Sequence, residues 1–149
     1  LSGWRLGYVV LPKTMISDAE KLYRGMMINT SSFSQLVGLT ILKYHKFPNL
    51  LFRHFAKQKQ KIETILKHYD VKFISPNGGL SFWIDVSKTG LSGQAFYEYS
   101  LKHIKVIVQP GIAFGKEGKN YIRMSFSGST TMALEGALRL AKLYKLLSK

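Results

Sequence analysis

The chain has 149 residues, 46% of them apolar and 20% charged, which is room for one ordinary domain with a buried core and is not a disordered composition. Twenty-two Lys and Arg face eight Asp and Glu, a formal charge of +14, and there is no cysteine, so a disulfide scaffold, a Cys-ligated metal or cluster and a thiol nucleophile are excluded. No apolar run approaches the length of a membrane-spanning helix, and the chain opens at Leu1 with neither Met nor a signal-peptide pattern, so it reads as a piece of something longer.

Gly7 to Leu11 is a short apolar run ended by Pro12 and predicts a buried strand. Lys13 to Met27 then reads as a helix, with Met15, Leu22 and Met26 on one side. Asn29-Thr30-Ser31-Ser32 is a polar break and a helix-start signal, and Phe33 to Tyr44 follows as a second helix. Pro48 is expected to interrupt. Leu50 to Tyr69 repeats Phe52, Phe55, Ile62, Leu66 and Tyr69 at helical spacing, with Ile65 beside them. The densest positive charge, residues 43–72, falls here. Lys57 and Lys61 share a helical face while Lys59 points almost the opposite way. This is a solvated, lysine-rich helix with no zinc-finger or RNA-binding signature, which argues against nucleic acid as a partner.

Beyond residue 70 the pattern changes. Val71 to Ile74 predicts a strand and Ser75-Pro76-Asn77-Gly78-Gly79 a turn. Leu80 to Val86 alternates, with Leu80, Phe82, Ile84 and Val86 on one face and Ser81, Trp83 and Asp85 on the other. Ser92 caps a helix to about His103, Val106 to Gln109 predicts a strand stopped by Pro110-Gly111, and Tyr121 to Phe126 alternates again, Ile122, Met124 and Phe126 being its apolar side. A last helix starts at Thr131, with Glu135 in its first turn and Lys142, Lys145 and Lys149 toward its end, as the helix dipole favours. The order is a strand, three helices, then ββαββα.

Three features carry possible chemistry. Arg5, between Gly3 and Gly7 at a strand entry, offers a planar fork that suits phosphate; the alternative is an ordinary ion pair. Arg123 sits mid-strand on the polar face, either as a solvated outer-face residue or as a carboxylate clamp on a rigid element. The loops Ser75–Gly79 and Pro110–Gly115 are plain turns by propensity, and their glycines would also permit close approach to a ligand. The histidines His45, His54, His68 and His103 are scattered over predicted helices without ligand spacing, so no metal site is expected. Trp83, Phe82 and Phe114 suit an apolar pocket and core packing equally.

Together these segments resemble the C-terminal part of a class I/II aminotransferase of the fold-type I pyridoxal-phosphate (PLP) family. Gly3-Trp4-Arg5-Leu6-Gly7 matches the tail of that family's S-x-x-K, five residues, G-x-R-x-G pattern. Ser75 to Trp83 resembles its P-x-G-G-x-F-x-W stretch, Val106 to Gly115 its V-x-V-x-P-G-x-x-F-G loop, and Tyr121 to Ser127 its y-I-R-l-S-f-s segment, all in the family's order. The resemblance implies a mixed α/β and α+β architecture: residues 1–48 ending a large cofactor-binding domain, 49–70 a long connecting helix, and 71–149 a small domain.

It implies that Arg5 binds the cofactor phosphate, that Arg123 holds the substrate α-carboxylate, and that Gly79 and the loop Gly111 to Gly115 border the substrate entrance, with Arg5 and Arg123 converging on one anionic ligand. Residues 29–32 would lie near a dimer interface. The Schiff-base lysine of the motif would fall four residues upstream of Leu1, so no catalytic residue is assigned within the chain, which alone is expected to be inactive and not to retain PLP. The parent would be a cytoplasmic homodimer acting on amino acids and 2-oxo acids. Alternatives are the aminotransferase-like effector domain of a MocR-type transcriptional regulator, another fold-type I enzyme such as a C–S lyase or decarboxylase, and a stand-alone basic binding module.

Overall fold

A computed structural model describes residues 2–27, 29–44 and 46–148. Leu1 of the opening motif, His45 and Lys149 therefore lie outside the described residues. The elements are helices α1 (Lys13–Met26), α2 (Ser32–Lys43) and α3 (Lys46–His68), strands β1 (Phe73–Ile74) and β2 (Ser81–Asp85), helix α4 (Gly93–Ile104), strands β3 (Gln109–Pro110) and β4 (Tyr121–Ser125), and helix α5 (Thr130–Leu147). The chain divides into two units, Leu1–Leu51 and Phe52–Lys149.

In the first unit the expected strand at Gly7 to Leu11 does not form. The segment is extended but joins no ladder, and Tyr8 and Val10 are 88% and 84% exposed. A strand is completed only by a partner's hydrogen bonds, and no second strand adjoins it among the described residues of this unit. Val9, Val10 and Leu11 instead line a shallow apolar groove with Ile16, Ala19 and Tyr23 of α1. The Met15, Leu22 and Met26 side of α1 is likewise exposed. Ser34 of α2 is buried and its hydroxyl donates to the Trp4 carbonyl at 2.8 Å, tying α2 to the turn that carries Arg5.

Pro48 does not interrupt. It lies in the first turn of α3, where the backbone N–H has no intrahelical acceptor and proline costs nothing. The far end of α3 closes through the left-handed Asp70 (φ 55°), with the Val71 amide donating to the Leu66 carbonyl at 3.0 Å.

In the second unit the ββαββα order is present. The sheet is antiparallel throughout, in the order β1-β2-β4-β3. The alternation read from β2 and β4 is the core: Phe82, Ile84, Val86, Ile122, Met124 and Phe126 are buried on one face. Against them pack Ile62 and Leu66 of α3, Phe96 of α4, and Ala137, Leu140, Ala141 and Tyr144 of α5. The α5 set recurs at i, i+3, i+4 and i+7, one helical stripe. Phe52, assigned to the α3 stripe by its spacing, is exposed. The third strand is shorter and later than expected, Gln109–Pro110 rather than 106–109; Val108 is buried in the core without pairing. Ser92 caps α4 as its sequence signals, its hydroxyl accepting from the Ala95 amide at 3.2 Å; α5 begins at Thr130, one residue before the expected Thr131, with the Ser129 hydroxyl accepting from the Met132 amide at 3.3 Å, and Ser31 ahead of α2 makes no side-chain cap bond.

Three polar devices hold the frame. Gln58 of α3, 2% exposed, donates to the Phe126 carbonyl at 2.8 Å and accepts from the Thr130 hydroxyl at 2.9 Å. Lys59 donates to the Pro76 carbonyl at 2.8 Å and pairs with Glu63, which accepts from the Ser75 hydroxyl, so the Ser75–Gly79 turn hangs from α3. Asp85, at the end of β2, pairs with Lys72 at 2.7 Å and accepts from the Ser87 amide at 2.9 Å. Burial disfavours its charged form, but the Lys72 ammonium and the Ser87 hydroxyl and amide outweigh it and hold the carboxyl below the usual range. The hydrogen bond to Asp85 raises the Lys72 ammonium in turn.

Candidate functional site

The sheet face opposite the core carries Trp83, Tyr121 and Arg123, because residues two apart on a strand share a side. Trp83 stands opposite Arg123 across the β2–β4 ladder, and Gln109 stands opposite Arg123 across β3–β4. Arg123 is half-buried, and its Nη1 donates to Gln109 Oε1. Its Cζ lies 5.6 Å from the centroid of the Phe114 ring, within cation–π reach. Trp83 meets Phe114 edge-on at 5.6 Å and stacks on Tyr121 at 5.6 Å with 16° between planes. The result is a guanidinium on an aromatic wall. Its polar partner is a neutral amide, and no carboxylate pairs with it among the described residues.

Phe114 reaches this face because the Gly111 to Gly115 loop is locked from behind. A Cβ on Gly118 would lie 2.1 Å from the Gly111 carbonyl oxygen, one on Gly111 2.4 Å from the Gly118 oxygen, and one on Gly93 2.1 Å from the Tyr121 oxygen. Three glycines thus let backbone meet backbone where α4 starts, where the loop leaves β3, and where it enters β4. Through Phe114 this loop lies beside Arg123.

Gly79 lies in the bend before β2, two residues ahead of its first residue Ser81. It is exposed with φ +76°, a conformation that favours glycine, and a Cβ there would meet nothing within 4 Å.

Arg5 belongs to the first unit. It follows the short 3-10 turn Ser2–Trp4 and is itself left-handed, φ 53°. The sequence points to unusual dihedrals or close contacts at Gly3 and Gly7; neither has a positive φ, and a Cβ on either would meet nothing within 4 Å. The special backbone belongs to the arginine itself, and Arg5 is exposed.

Sequence reasoning missed Gln109 and the Gly93–Gly111–Gly118 interlock. Gln109 could have been found by pairing the two short segments on either side of Pro110–Gly115 as a hairpin, which sets it opposite Arg123. No local signal marks the interlock, since its members are 7 to 25 residues apart. No helix among the described residues is long and apolar enough to cross a membrane.

The sequence model described as aminotransferase class I and II matches residues 1–140. An aspartate aminotransferase of Pyrococcus horikoshii is 31% identical over 146 residues, covering 95% of this chain and 37% of that protein. The aromatic-amino-acid aminotransferase 2 of Thermococcus litoralis is 27% identical over 151 residues, covering 97% and 38%. Among solved structures, an aromatic aminotransferase from Pyrococcus horikoshii superposes with a TM-score of 0.84 at 26% identity, covering 98% of this chain and 40% of that one. The chain thus spans well under half the length of the relatives it matches. Its motifs, its fold and these likenesses agree: the chain belongs to the class I and II aminotransferases, a PLP-dependent family of fold type I.

Proposed function

We propose that these 149 residues are the C-terminal portion of an enzyme that transfers an amino group between an amino acid and a 2-oxo acid. The observation that carries this reading is Arg123: a half-buried cation on an interior strand, backed by Phe114 and Trp83 and, among the described residues, partnered only by a neutral amide. Such a group has its charge available for a substrate α-carboxylate, which the guanidinium fork grips bidentately. The loop Gly111 to Gly115 would flank the bound substrate and keep water from it, and Gly79 would border the entrance. In this reading residues 1–48 finish a large cofactor-binding domain, 49–70 connect, and 71–149 form the small domain. The extended, exposed segment 7–11 supports it, since an apolar run of that kind is completed by neighbouring strands supplied by further polypeptide.

The donor chemistry at Arg5 fits the phosphate end of PLP: an exposed guanidinium without an acceptor among the described residues, presenting a planar fork. When bound, PLP supplies an electron sink for the charge developed at the substrate Cα. Arg5 would anchor the phosphate and Arg123 would fix the carboxylate, which orients the substrate's Cα–H bond. The amine that attaches the cofactor is placed outside these residues, and none of the chain's lysines is given that role. These residues alone are then inactive and do not retain PLP; the whole enzyme is a cytoplasmic homodimer.

The test is product analysis of the whole enzyme with a panel of amino acids and 2-oxo acid acceptors. Amino transfer yields one new amino acid for each new 2-oxo acid. Release of ammonia with a thiol, or of carbon dioxide, would assign lyase or decarboxylase chemistry instead. No turnover, with a DNA-binding winged helix preceding this segment, would assign the regulator. In the same enzyme, Arg123→Ala should raise KM by a similar factor, roughly 10- to 100-fold, for amino acids of every side chain; an unchanged KM refutes the clamp. Arg5→Ala should weaken cofactor retention, and unaltered PLP affinity refutes that role.

A further inference from the structure

We propose that Gln109 is a positioning residue: it fixes the orientation of the Arg123 guanidinium and leaves one edge of it open to a ligand carboxylate. The inference rests on the reading of Arg123 as the carboxylate site and adds a residue to it.

An arginine on a strand has its Cα fixed but swings its charged end about four side-chain bonds, and holding one orientation costs rotamer freedom. Aromatic contacts with Phe114 limit how far the plane tilts, but a ring face has no direction within its plane and cannot choose which N–H edge faces outward. Gln109 makes that choice. The β3–β4 register sets it directly opposite Arg123, and its Oε1 accepts from Nη1 alone. A guanidinium has five N–H donors; with one taken at Nη1, the Nη2–Nε edge that grips a carboxylate by two parallel bonds is still available.

The chemistry of the amide suits the task. A carboxylate at position 109 would occupy the fork and cancel its charge. An apolar side chain would leave the rotor loose and one N–H without a partner. A glutamine carbonyl supplies one acceptor and no charge.

The test uses the whole enzyme. The probe is 3-phenylpropionate, a carboxylate with an apolar tail suited to the aromatic wall, titrated by isothermal calorimetry. The second readout is the pair of Arg123 Nη signals in ¹⁵N spectra at low temperature, identified by their loss in Arg123→Ala. The wild-type side chain should show two separate Nη signals and saturable binding. In Gln109→Met the signals should coalesce and Kd should rise about three- to tenfold. In Gln109→Glu the signals should stay separate while Kd rises at least tenfold, because the guanidinium is held but neutralised. A role in folding alone would move the urea midpoint and not this opposed pattern.

If Arg123→Ala abolishes binding while Gln109→Met keeps both the wild-type Kd and separate signals, the positioning role is wrong and the clamp stands. If Arg123→Ala binds the probe as wild type does, or the wild-type enzyme does not bind it, the clamp itself is wrong and this inference falls with it.

Discussion

The glycine interlock behind the Arg123 face gives the sharpest prediction, Gly118→Ala. Gly118 has no positive φ, so dihedral preference does not require glycine there. The space does. The new Cβ would sit 2.1 Å from the Gly111 oxygen, 2.4 Å from its carbonyl carbon and 3.1 Å from its Cα. All three are backbone atoms that no rotamer change can move. Relief requires the 111–118 loop to open by about 1 Å, and Gly111 is itself pressed against the Tyr121 oxygen, where its own Cβ would stand at 2.8 Å. Overpacking of this kind costs about 1–3 kcal/mol and sometimes more; with backbone on both sides we expect roughly 3 kcal/mol. At a urea slope of about 1.5 kcal/mol/M the midpoint falls by roughly 2 M. Two substitutions calibrate it. Gly79→Ala meets open space but φ +76°, and should cost about 1 kcal/mol. Gly78→Ala meets open space without a positive φ and should be close to neutral or slightly stabilising. Urea unfolding of the three variants followed by circular dichroism decides the matter: Gly118→Ala within about 0.5 kcal/mol of Gly78→Ala would refute the steric argument.

Gln58→Leu removes the donor to the Phe126 carbonyl and the acceptor for Thr130, and should destabilise by about 2–4 kcal/mol; Thr130→Val on that background should cost little more, and full additivity in the double-mutant cycle would show that the two groups do not act together. Asp85 has a folded pKa below its unfolded value near 4, so its stabilisation is complete above that value and fades as pH falls through the lower, folded one. The stability gap between wild type and Asp85→Asn should therefore be constant near neutral pH and shrink below about pH 4; a gap that widens with acid contradicts the assignment. Lys72, raised in the fold, contributes below its unfolded pKa and loses that share as pH climbs through the folded one, so Lys72→Met should flatten the alkaline limb of the stability curve.

The second unit is legible in the sequence because its two interior strands obey a strict alternation: Phe82, Ile84, Ile122 and Met124 can be assigned to the core without knowing what covers them, and Arg123 to the opposite face by the same count. Segments whose structure depends on remote partners are harder. Val9 and Val10 have the composition of a buried strand, but composition does not supply the neighbouring ladder. Residues 106–108 have the same composition, yet pairing begins only at Gln109. Pro48 suggests a break through its usual effect on helices, whereas at the third residue of a helix that effect vanishes. At the site, Arg123 announces itself as a charge among apolar residues. Its companion Gln109 does not, because the two meet across a ladder and lie 14 positions apart.

The position of β4 between β2 and β3 bears on how this surface can change over evolutionary time. Gain or loss of a single residue within Tyr121–Ser125 would exchange the two faces of the strand, sending a guanidinium inward and a hydrophobe outward at every later position. With both flanks paired, no free edge remains to absorb the slip. Diversification here is therefore confined to swapping side chains at fixed length, at Trp83, Gln109 and Phe114, while insertions are expected to accumulate at the exposed Asn77–Gly78 tip instead.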